Sequence, residues 1–261
     1  MTRYICITGG KGGVGKTTTS VNLASALHKL GIDTVLVDAN ISTPNIHVHL
    51  GSEGIERSIH DAIAGDVHVL ETIYKHSSGL RLVPALTDIH HLRYPDHDGF
   101  RDALMDLEGH AEIVIMDSAA GLGREAIVPM EVADDIILVS TPDHGSLEDA
   151  KNVIKVAREI KKQVLGIVLN MVRNDSYEHS ADQVEAELGL PVIAIIPHDH
   201  KIRSAWKRKH PVVHIHPRSK SSKSFYKLTA DLIGPAYVES VKKNKKSGKE
   251  NKALETAGLK A

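Results

Sequence analysis

Residues 9–18 of the chain read Gly9-Gly10-Lys11-Gly12-Gly13-Val14-Gly15-Lys16-Thr17-Thr18, and they contain the pattern G-x-x-x-x-G-K-T from Gly10 to Thr17. The stretch follows a strand-like apolar run and opens a helical pattern, which is the context in which this pattern forms a phosphate-binding loop. Glycines let backbone N–H groups converge on phosphate oxygens, because no Cβ stands in the way. Lys16 is expected to neutralise the β- and γ-phosphate oxygens, and the Thr17 hydroxyl to ligate Mg²⁺. The loop therefore predicts a nucleotide site.

Short β-branched runs alternate with helical patterns along most of the 261 residues, which is typical of a parallel sheet covered by helices on both faces. Most of the strands read as continuous apolar runs, as expected for strands buried on both sides. The predicted strands are residues 4–8, 34–38, 80–84, 113–117, 136–140, 165–170 and 192–196. The predicted helices are residues 17–30, 58–64, 100–107, 147–161, 180–188 and 221–233. We expect a single, doubly wound α/β domain over residues 1–234 and a basic, disordered tail over residues 235–261.

The composition excludes several classes of protein. One cysteine, Cys6, rules out a disulfide framework and a cysteine-based metal site within one chain. No apolar run reaches the roughly 18–20 residues that span a bilayer, and no leader-like segment opens the sequence, so we expect a cytoplasmic protein.

The charge of the chain is distributed unevenly, although the net charge is only −1. Residues 1–200 carry 16 Lys and Arg against 29 Asp and Glu, whereas residues 201–261 carry 16 against 4. Residues 201–227 contain nine basic residues and no acidic one. A solvated helix face explains many short runs of charge. A basic stretch of this length favours a polyanion instead, either nucleic acid or an anionic membrane surface.

A second lysine inside the glycine-rich loop, Lys11, narrows the class of phosphate loop to which the sequence can be compared. The loop resembles the deviant Walker A motif, K-G-G-x-G-K-T, of the MinD/ParA family of P-loop ATPases, and the resemblance extends over residues 4–234. It implies a P-loop fold, ATP and Mg²⁺ as cofactors, hydrolysis of ATP, and a homodimer in the ATP-bound state. In such a dimer Lys11 reaches the phosphates held by the partner, as an arginine finger does. The phosphate-loop contacts that the resemblance implies are Gly10, Lys11, Gly12, Gly13, Val14, Gly15, Lys16, Thr17 and Thr18.

Two predicted strands end in aspartate. Residues 35–38 resemble the second strand of the family and residues 113–117 resemble its Walker B strand, so Asp38 and Asp117 are expected to organise Mg²⁺ together with Thr17. Such an aspartate can also be only the N-cap of a following helix. Two of them beside a phosphate loop favour the metal. Residues 117–121 match the switch segment that follows, in which the Gly121 N–H senses the γ-phosphate.

Further positions follow from the same resemblance. Asn170 matches the asparagine that reads adenine, and Pro197 and Asp199 match a loop that brackets the base, although an asparagine after a strand is also an ordinary turn residue. Residues 58–65, continuing through residues 73–74, and residues 142–149 resemble the MinD branch. The resemblance implies that Asp149, the final residue of the second segment, lies at the dimer face.

One departure from the family concerns turnover. After Asp38 and Ala39 the family usually has a second acidic residue, and here the position is Asn40. An amide positions water by hydrogen bonds but is not a base. We therefore expect Lys11 and Lys16 to stabilise phosphoryl charge, and Asn40 and Gly121 to orient or sense the nucleophile, in a slow ATPase. The alternative is a non-hydrolysing, ATP-bound dimer that acts as a DNA-binding scaffold.

The predicted polyanion surface comprises five basic residues: Lys201, Arg203, Lys207, Arg208 and Lys209. Because the tail offers few apolar anchors for an interfacial helix, we favour non-specific DNA over membrane. The predicted partners are a second copy of the chain, this anionic surface, and an unidentified activating or cargo protein. The histidine pairs at 198 and 200 and at 214 and 216 would share a face on a strand, but a zinc site needs a third and fourth ligand, so scattered surface histidines are favoured.

Overall fold

The computed structural model describes residues 1–51, 53–86 and 97–234, and a single sheet runs through the middle of this part of the chain. Its strands are β1 (Arg3–Thr8), β2 (Thr34–Ala39), β3 (Tyr74–Lys75), β4 (Arg81–Val83), β5 (Ile113–Ser118), β6 (Asp135–Ser140), β7 (Val164–Val172) and β8 (Val192–Pro197). They lie in the order β3-β4-β2-β5-β1-β6-β7-β8, and all the pairs are parallel except β3 with β4. The prediction of a doubly wound, mostly parallel sheet is confirmed.

Most of the helices in the described residues lie between successive strands, and the last three follow β8. The helices are α1 (Lys16–Lys29), α2 (Ile46–Leu50), α3 (Ile59–Ile63), α4 (His97–Met105), α5 (Arg124–Val132), α6 (His144–Glu159), α7 (Ala181–Leu188), α8 (His200–Lys207), α9 (Val212–Ile215) and α10 (Lys220–Ile233), with a short 3₁₀ turn at Val69–Thr72. Every helix predicted from the sequence is present, with ends that differ by a few residues. The predicted tail, residues 235–261, lies outside the described residues.

The core consists of two apolar layers, one on each face of the sheet. In β1 successive side chains alternate between them: Tyr4 and Cys6 belong to one layer, and Ile5 and Ile7 to the other. All four are buried, which explains why the strand reads as a continuous apolar run. Burial also raises the pKa of Cys6 to about 12, so this thiol is a packing residue.

The position of β1 determines where a ligand can bind. It lies between β5 and β6. Strands β2 to β5 lie on one side of β1 and strands β6 to β8 on the other, so the direction in which strands are added to the sheet reverses at β1. In open α/β sheets ligands bind beyond the carboxyl ends of the strands at such a switch point. The loop that follows Thr8, the end of β2 and the end of β5 all meet at this edge.

Candidate nucleotide site

The phosphate loop connects the end of β1 to the first turn of α1, and its glycines allow close packing. Gly13 and Gly15 have φ values of 83° and 98°, which residues with a Cβ rarely adopt. A Cβ on Gly15 would lie 2.0 Å from Nδ2 of Asn170, and a Cβ on Gly10 would lie 2.4 Å from the carbonyl oxygen of Asp149. The loop is therefore pressed against β7 on one side and α6 on the other.

Lys16, the first residue of α1, is buried with only 8% of its surface exposed. Its Nζ donates to the carbonyl oxygen of Lys11 at 3.3 Å, so the side chain lies back along the loop. Burial lowers the pKa of Lys16, and the Asp117 carboxylate opposes that effect. The ammonium thus lies inside the loop where phosphate oxygens are predicted.

The carboxylates of Asp38 and Asp117 stand side by side, because the two residues are register partners in β2 and β5. Asp117 accepts a hydrogen bond on Oδ1 from the Ser20 hydroxyl at 2.8 Å. Its Oδ2 is buried and has no hydrogen-bond partner among the described residues. Burial raises the pKa of Asp117 to about 6. The hydroxyls of Thr17 and Ser20 and the charge of Lys16 oppose this rise. A buried carboxylate oxygen without a partner calls for a ligand.

Asp38 is anchored differently. Its Oδ2 accepts the backbone N–H groups of Asn45 and Ile46, each at 3.0 Å, and its Oδ1 accepts the N–H of Asn40 at 3.3 Å. Burial and the nearby Asp117 raise its pKa well above the ordinary value, and these three N–H groups oppose the rise. Asp38 therefore holds the start of α2 through these N–H groups, although the N-cap residue of that helix is Asn45, and it also lies beside Asp117.

Asn40 is buried, and both ends of its amide are engaged. Its Nδ2 donates to the carbonyl oxygen of Thr43 at 2.6 Å, and its Oδ1 accepts from the Thr43 hydroxyl at 3.0 Å. The side chain closes a tight local loop. One Nδ2 hydrogen and one Oδ1 lone pair remain for further hydrogen bonds, and Asn40 lines a cavity beside the phosphate loop.

Gly121, the predicted γ-phosphate sensor, has a φ of 86° and lies in the loop between β5 and α5. A Cβ at this position would meet no described atom within 4 Å. The backbone conformation, rather than lack of space, is therefore what favours glycine here.

Lys11 is exposed, and its Nζ lies 3.6 Å from Oδ1 of Asp143, the N-cap of α6. Burial alone would raise the pKa of Asp143, but hydrogen bonds from Thr141 and Ser146 lower it to about 2. The ion pair is half-exposed on both sides, so it costs little to separate. Lys11 is thus able to leave this contact.

The three residues predicted to surround adenine have contacts within the protein. Asn170 is buried, and its Nδ2 donates to the carbonyl oxygen of Val14 at 2.8 Å. Asp199 caps α8 by accepting the Lys201 N–H at 2.9 Å, and its other oxygen accepts from the Ser221 hydroxyl at 2.8 Å. Pro197 is half-buried at the end of β8. Asn170 lies near the carboxyl end of β7, Pro197 ends β8, and Asp199 follows it as the N-cap of α8.

A cavity of about 300 Å³ adjoins the phosphate loop. The loop residues Gly12, Gly13, Gly15, Lys16, Thr17 and Thr18 line it. Sequence reasoning missed part of its wall, which consists of Thr43, Asn45, His49, Met171 and Trp206. The one available signal is the single tryptophan of the chain, which stands within the basic stretch.

The predicted polyanion residues are exposed and close together in the chain. Lys201, Arg203 and Lys207 lie on α8, and Arg208 and Lys209 follow it directly. Lys209 also donates from Nζ to the carbonyl oxygen of Val48 at 3.0 Å. This hydrogen bond connects the basic residues that follow α8 to α2, the helix whose start Asp38 holds.

None of the four histidines considered as pairs lies on a strand: His198 precedes α8, His200 begins it, His214 lies on α9, and His216 follows α9. A different cluster consists of His144, Glu148 and Glu187, whose ligand atoms lie within 4.8 Å of one another. The Lys151 ammonium already bridges it, at 2.5 Å from Glu148 and 2.9 Å from Glu187. The lysine supplies the positive charge that these carboxylates need.

Comparison with known proteins assigns the chain to a family, because residues 5–212 match the CobQ/CobB/MinD/ParA nucleotide binding domain. The chain belongs to this family. An uncharacterized ATP-binding protein of Methanocaldococcus jannaschii is 33% identical over 93% of this chain and 92% of its own. The antiactivator FleN of Pseudomonas aeruginosa is 31% identical over 85% of this chain and 83% of its own.

Among solved structures, the septum site-determining protein MinD from Pyrococcus horikoshii, complexed with Mg-ADP, superposes with a TM-score of 0.84 at 30% identity. The match covers 89% of this chain and 96% of that one. The resemblance to the MinD/ParA family, first indicated by Lys11, is thus confirmed for both the family and the fold. In the part of the chain that the structure describes, none of the helices has the length and hydropathy of a membrane span.

Proposed function

We propose that this MinD/ParA family member is a Mg·ATP-dependent ATPase switch of the MinD type. It dimerises when it binds ATP, releases its partners on hydrolysis, and so positions a cell-division or other cellular cargo. The observation that carries this proposal is Oδ2 of Asp117, a buried carboxylate oxygen without a partner in the described ranges, beside Lys16 and Thr17. The protein of Pyrococcus horikoshii was solved with Mg-ADP, which supports the same ligands here.

The residues present fit a magnesium ion. Mg²⁺ takes oxygen ligands and usually keeps several of its waters. The Thr17 hydroxyl would ligate it directly, and Asp117 and Asp38 would hold it and its waters. When bound, the ion neutralises charge that develops on the phosphate oxygens. Lys16 supplies a fixed positive charge in the same loop, and Gly121 offers its N–H to the γ-phosphate.

The dimer would use the face that carries Lys11. The weak, half-exposed contact of Lys11 with Asp143 allows the ammonium to turn outward to the phosphates of a second copy. Asp149 lies on α6 directly behind Gly10, so a contact at this dimer face would bear on the loop itself. ATP binding and dimerisation would then stabilise each other.

A second candidate is an ATP-bound dimer that scaffolds partners with negligible turnover. Asn40 favours it, because an amide is not a general base and this one is held in place by hydrogen bonds to Thr43. In either form we propose an anionic surface as partner, with non-specific DNA favoured over membrane. The exposed basic residues of α8 support that choice, because they contact phosphates without reading sequence. The protein would be cytoplasmic and peripheral on the nucleoid, with an activating or cargo protein still to be identified.

Steady-state phosphate release tests the proposal, measured for the protein alone, with random-sequence duplex DNA, and with vesicles that contain anionic lipid. Lys16→Ala serves as the blank. We expect turnover above the blank, raised more by DNA than by vesicles. ATP binding with no turnover on any surface would favour the scaffold. Failure of the wild-type protein to bind ATP would contradict both forms of the proposal.

A further inference from the structure

The cavity beside the phosphate loop has an aromatic wall. Lys16 and Thr17 line it where the loop begins α1, and Trp206 lines it from α8. Within the described ranges its lining does not include the three residues expected to surround the base, Asn170, Pro197 and Asp199. A nucleotide held by the loop would therefore meet the indole of Trp206 in this cavity.

The indole is held in a defined position. Its ring packs edge-on against His49 of α2, with 4.6 Å between the ring centroids and 69° between the ring planes. His49 itself is only 8% exposed. The hydrogen bond from Lys209 to the Val48 carbonyl fastens the same two helices next to this contact. A ring fixed in this way loses little further entropy when a ligand packs on it.

The indole N–H is the second observation. Nε1 of Trp206 is buried and finds no acceptor among the described residues. Indole is a donor only, and a tryptophan N–H usually has a partner when it is buried. The oxygens of ribose and the ring nitrogens of a purine are acceptors that would satisfy it.

The residues predicted to read adenine are only partly occupied by contacts within the protein, because Oδ1 of Asn170 is buried and has no partner among the described residues. Asn170 donates its amide N–H to the phosphate loop, and both carboxylate oxygens of Asp199 accept hydrogen bonds from α8 and α10. Those contacts stabilise the fold around the site. They leave three groups for a nucleoside to use: the flat π-surface of Trp206, its unpartnered N–H, and the unpartnered Oδ1 of Asn170.

We propose that Trp206 contacts the nucleoside part of the bound nucleotide, through its ring face or its N–H against the base or the ribose. The inference deepens the proposed function and rests on it, because the phosphate loop must hold the phosphates. Removal of an aromatic ring that stacks on a base typically weakens binding by about tenfold. The phosphate contacts should not change.

Isothermal titration calorimetry with two ligands tests this, Mg·ADP and Mg·pyrophosphate, because only the first carries a nucleoside. Three proteins are compared: wild type, Trp206→Ala and Lys16→Ala. We expect Trp206→Ala to raise the Kd of ADP about tenfold and to leave that of pyrophosphate unchanged. Lys16→Ala should weaken both ligands, which shows that both bind at the loop.

Two results would overturn the inference: unchanged ADP binding in Trp206→Ala, or an equal loss for ADP and pyrophosphate. If Trp206→Ala fails to fold, Trp206→Phe keeps a ring against His49, and the emission of wild-type Trp206 gives a readout without any variant. As Trp206 is the sole tryptophan, we expect ADP, and not pyrophosphate, to change its emission saturably. Absence of ADP binding in the wild type would instead refute the proposed function.

Discussion

Gly10 shows how tightly single residues are constrained at this site. A Cβ there would come within 2.4 Å of the Asp149 carbonyl oxygen, whereas at Gly12 a Cβ would meet no described atom within 4 Å. We expect Gly10→Ala to lower the free energy of unfolding by about 1–3 kcal/mol, the usual range for overpacking, and Gly12→Ala to change it little. Urea unfolding of the two variants measures the difference. Equal stabilities would show that α6 moves aside without cost.

Asn40 carries the prediction about rate. Asn40→Asp introduces a carboxylate that is able to assist the attacking water, so we expect turnover to rise by at least about tenfold. Steady-state phosphate release under saturating Mg·ATP measures it, with Thr43→Val as the control, because that variant removes the hydroxyl that binds the Asn40 amide without adding a base. If Asn40→Asp is no faster than wild type, position 40 does not limit hydrolysis.

Single residues also show where prediction from sequence succeeds. The sequence was sufficient to predict the proximity of Lys16, Asp38 and Asp117. The phosphate loop and the ends of two adjacent strands bring these residues together independently of the packing of the other helices. The proximity of Trp206 and His49 was not predictable, because they meet through the packing of α8 on α2, and these helices are far apart in the chain. The second set of contacts of Asp199, with Ser221 on α10, is of the same kind.

Among the elements, α2 links stability to pH. Burial lowers the pKa of His49 to about 4, with further contributions from Lys209 and His47. The unfolded chain takes up the proton near the ordinary value of 6.5, so the unfolded state binds more protons between these two values. The contribution of His49 to stability is therefore complete above about pH 6.5 and is lost as the pH falls toward about 4. His49 alone contributes about 3 kcal/mol to this loss.

Urea unfolding as a function of pH checks this prediction. His49→Phe keeps an aromatic ring against Trp206 and cannot titrate, so its stability should fall less steeply in that range. His110→Gln, a change at an exposed histidine, is the matched control and should follow the wild type. Parallel curves for all three proteins would exclude His49 as the source. The pKa of His214 is also lowered to about 4, mainly by burial, so His214 likewise reduces stability as the pH falls.

Elements differed in how readily the sequence revealed them. The strands β1, β2 and β5 are buried on both faces. Their continuous apolar runs were therefore sufficient to predict them as strands. By contrast, α5 carries Pro129 in its interior, which removes a helical hydrogen bond and opposes helix prediction. The short strand β3 has two residues, and it exists only through its pairing with β4.

For the whole molecule, the uneven charge predicts how the proposed binding to DNA would depend on salt. We expect non-specific DNA affinity to fall steeply with salt, because each phosphate contact releases counterions. The double variant Arg203→Glu, Lys207→Glu should weaken binding and flatten the salt dependence. Reversal of two exposed charges on α6, Lys155→Glu with Arg158→Glu, is the matched control. Equal losses in the two variants would mean that net charge, rather than the α8 surface, attracts DNA.

The most direct test of the nucleotide-driven switch is the mass of the protein by light scattering, in Mg·ATP analogue and in Mg·ADP. We predict a mass of about twice the 28.4 kDa of the chain with the ATP analogue and of one chain with ADP. Lys11→Ala, which retains the phosphate loop but has no ammonium to reach a partner, should remain monomeric with both. A wild-type mass that does not depend on the nucleotide would contradict the switch.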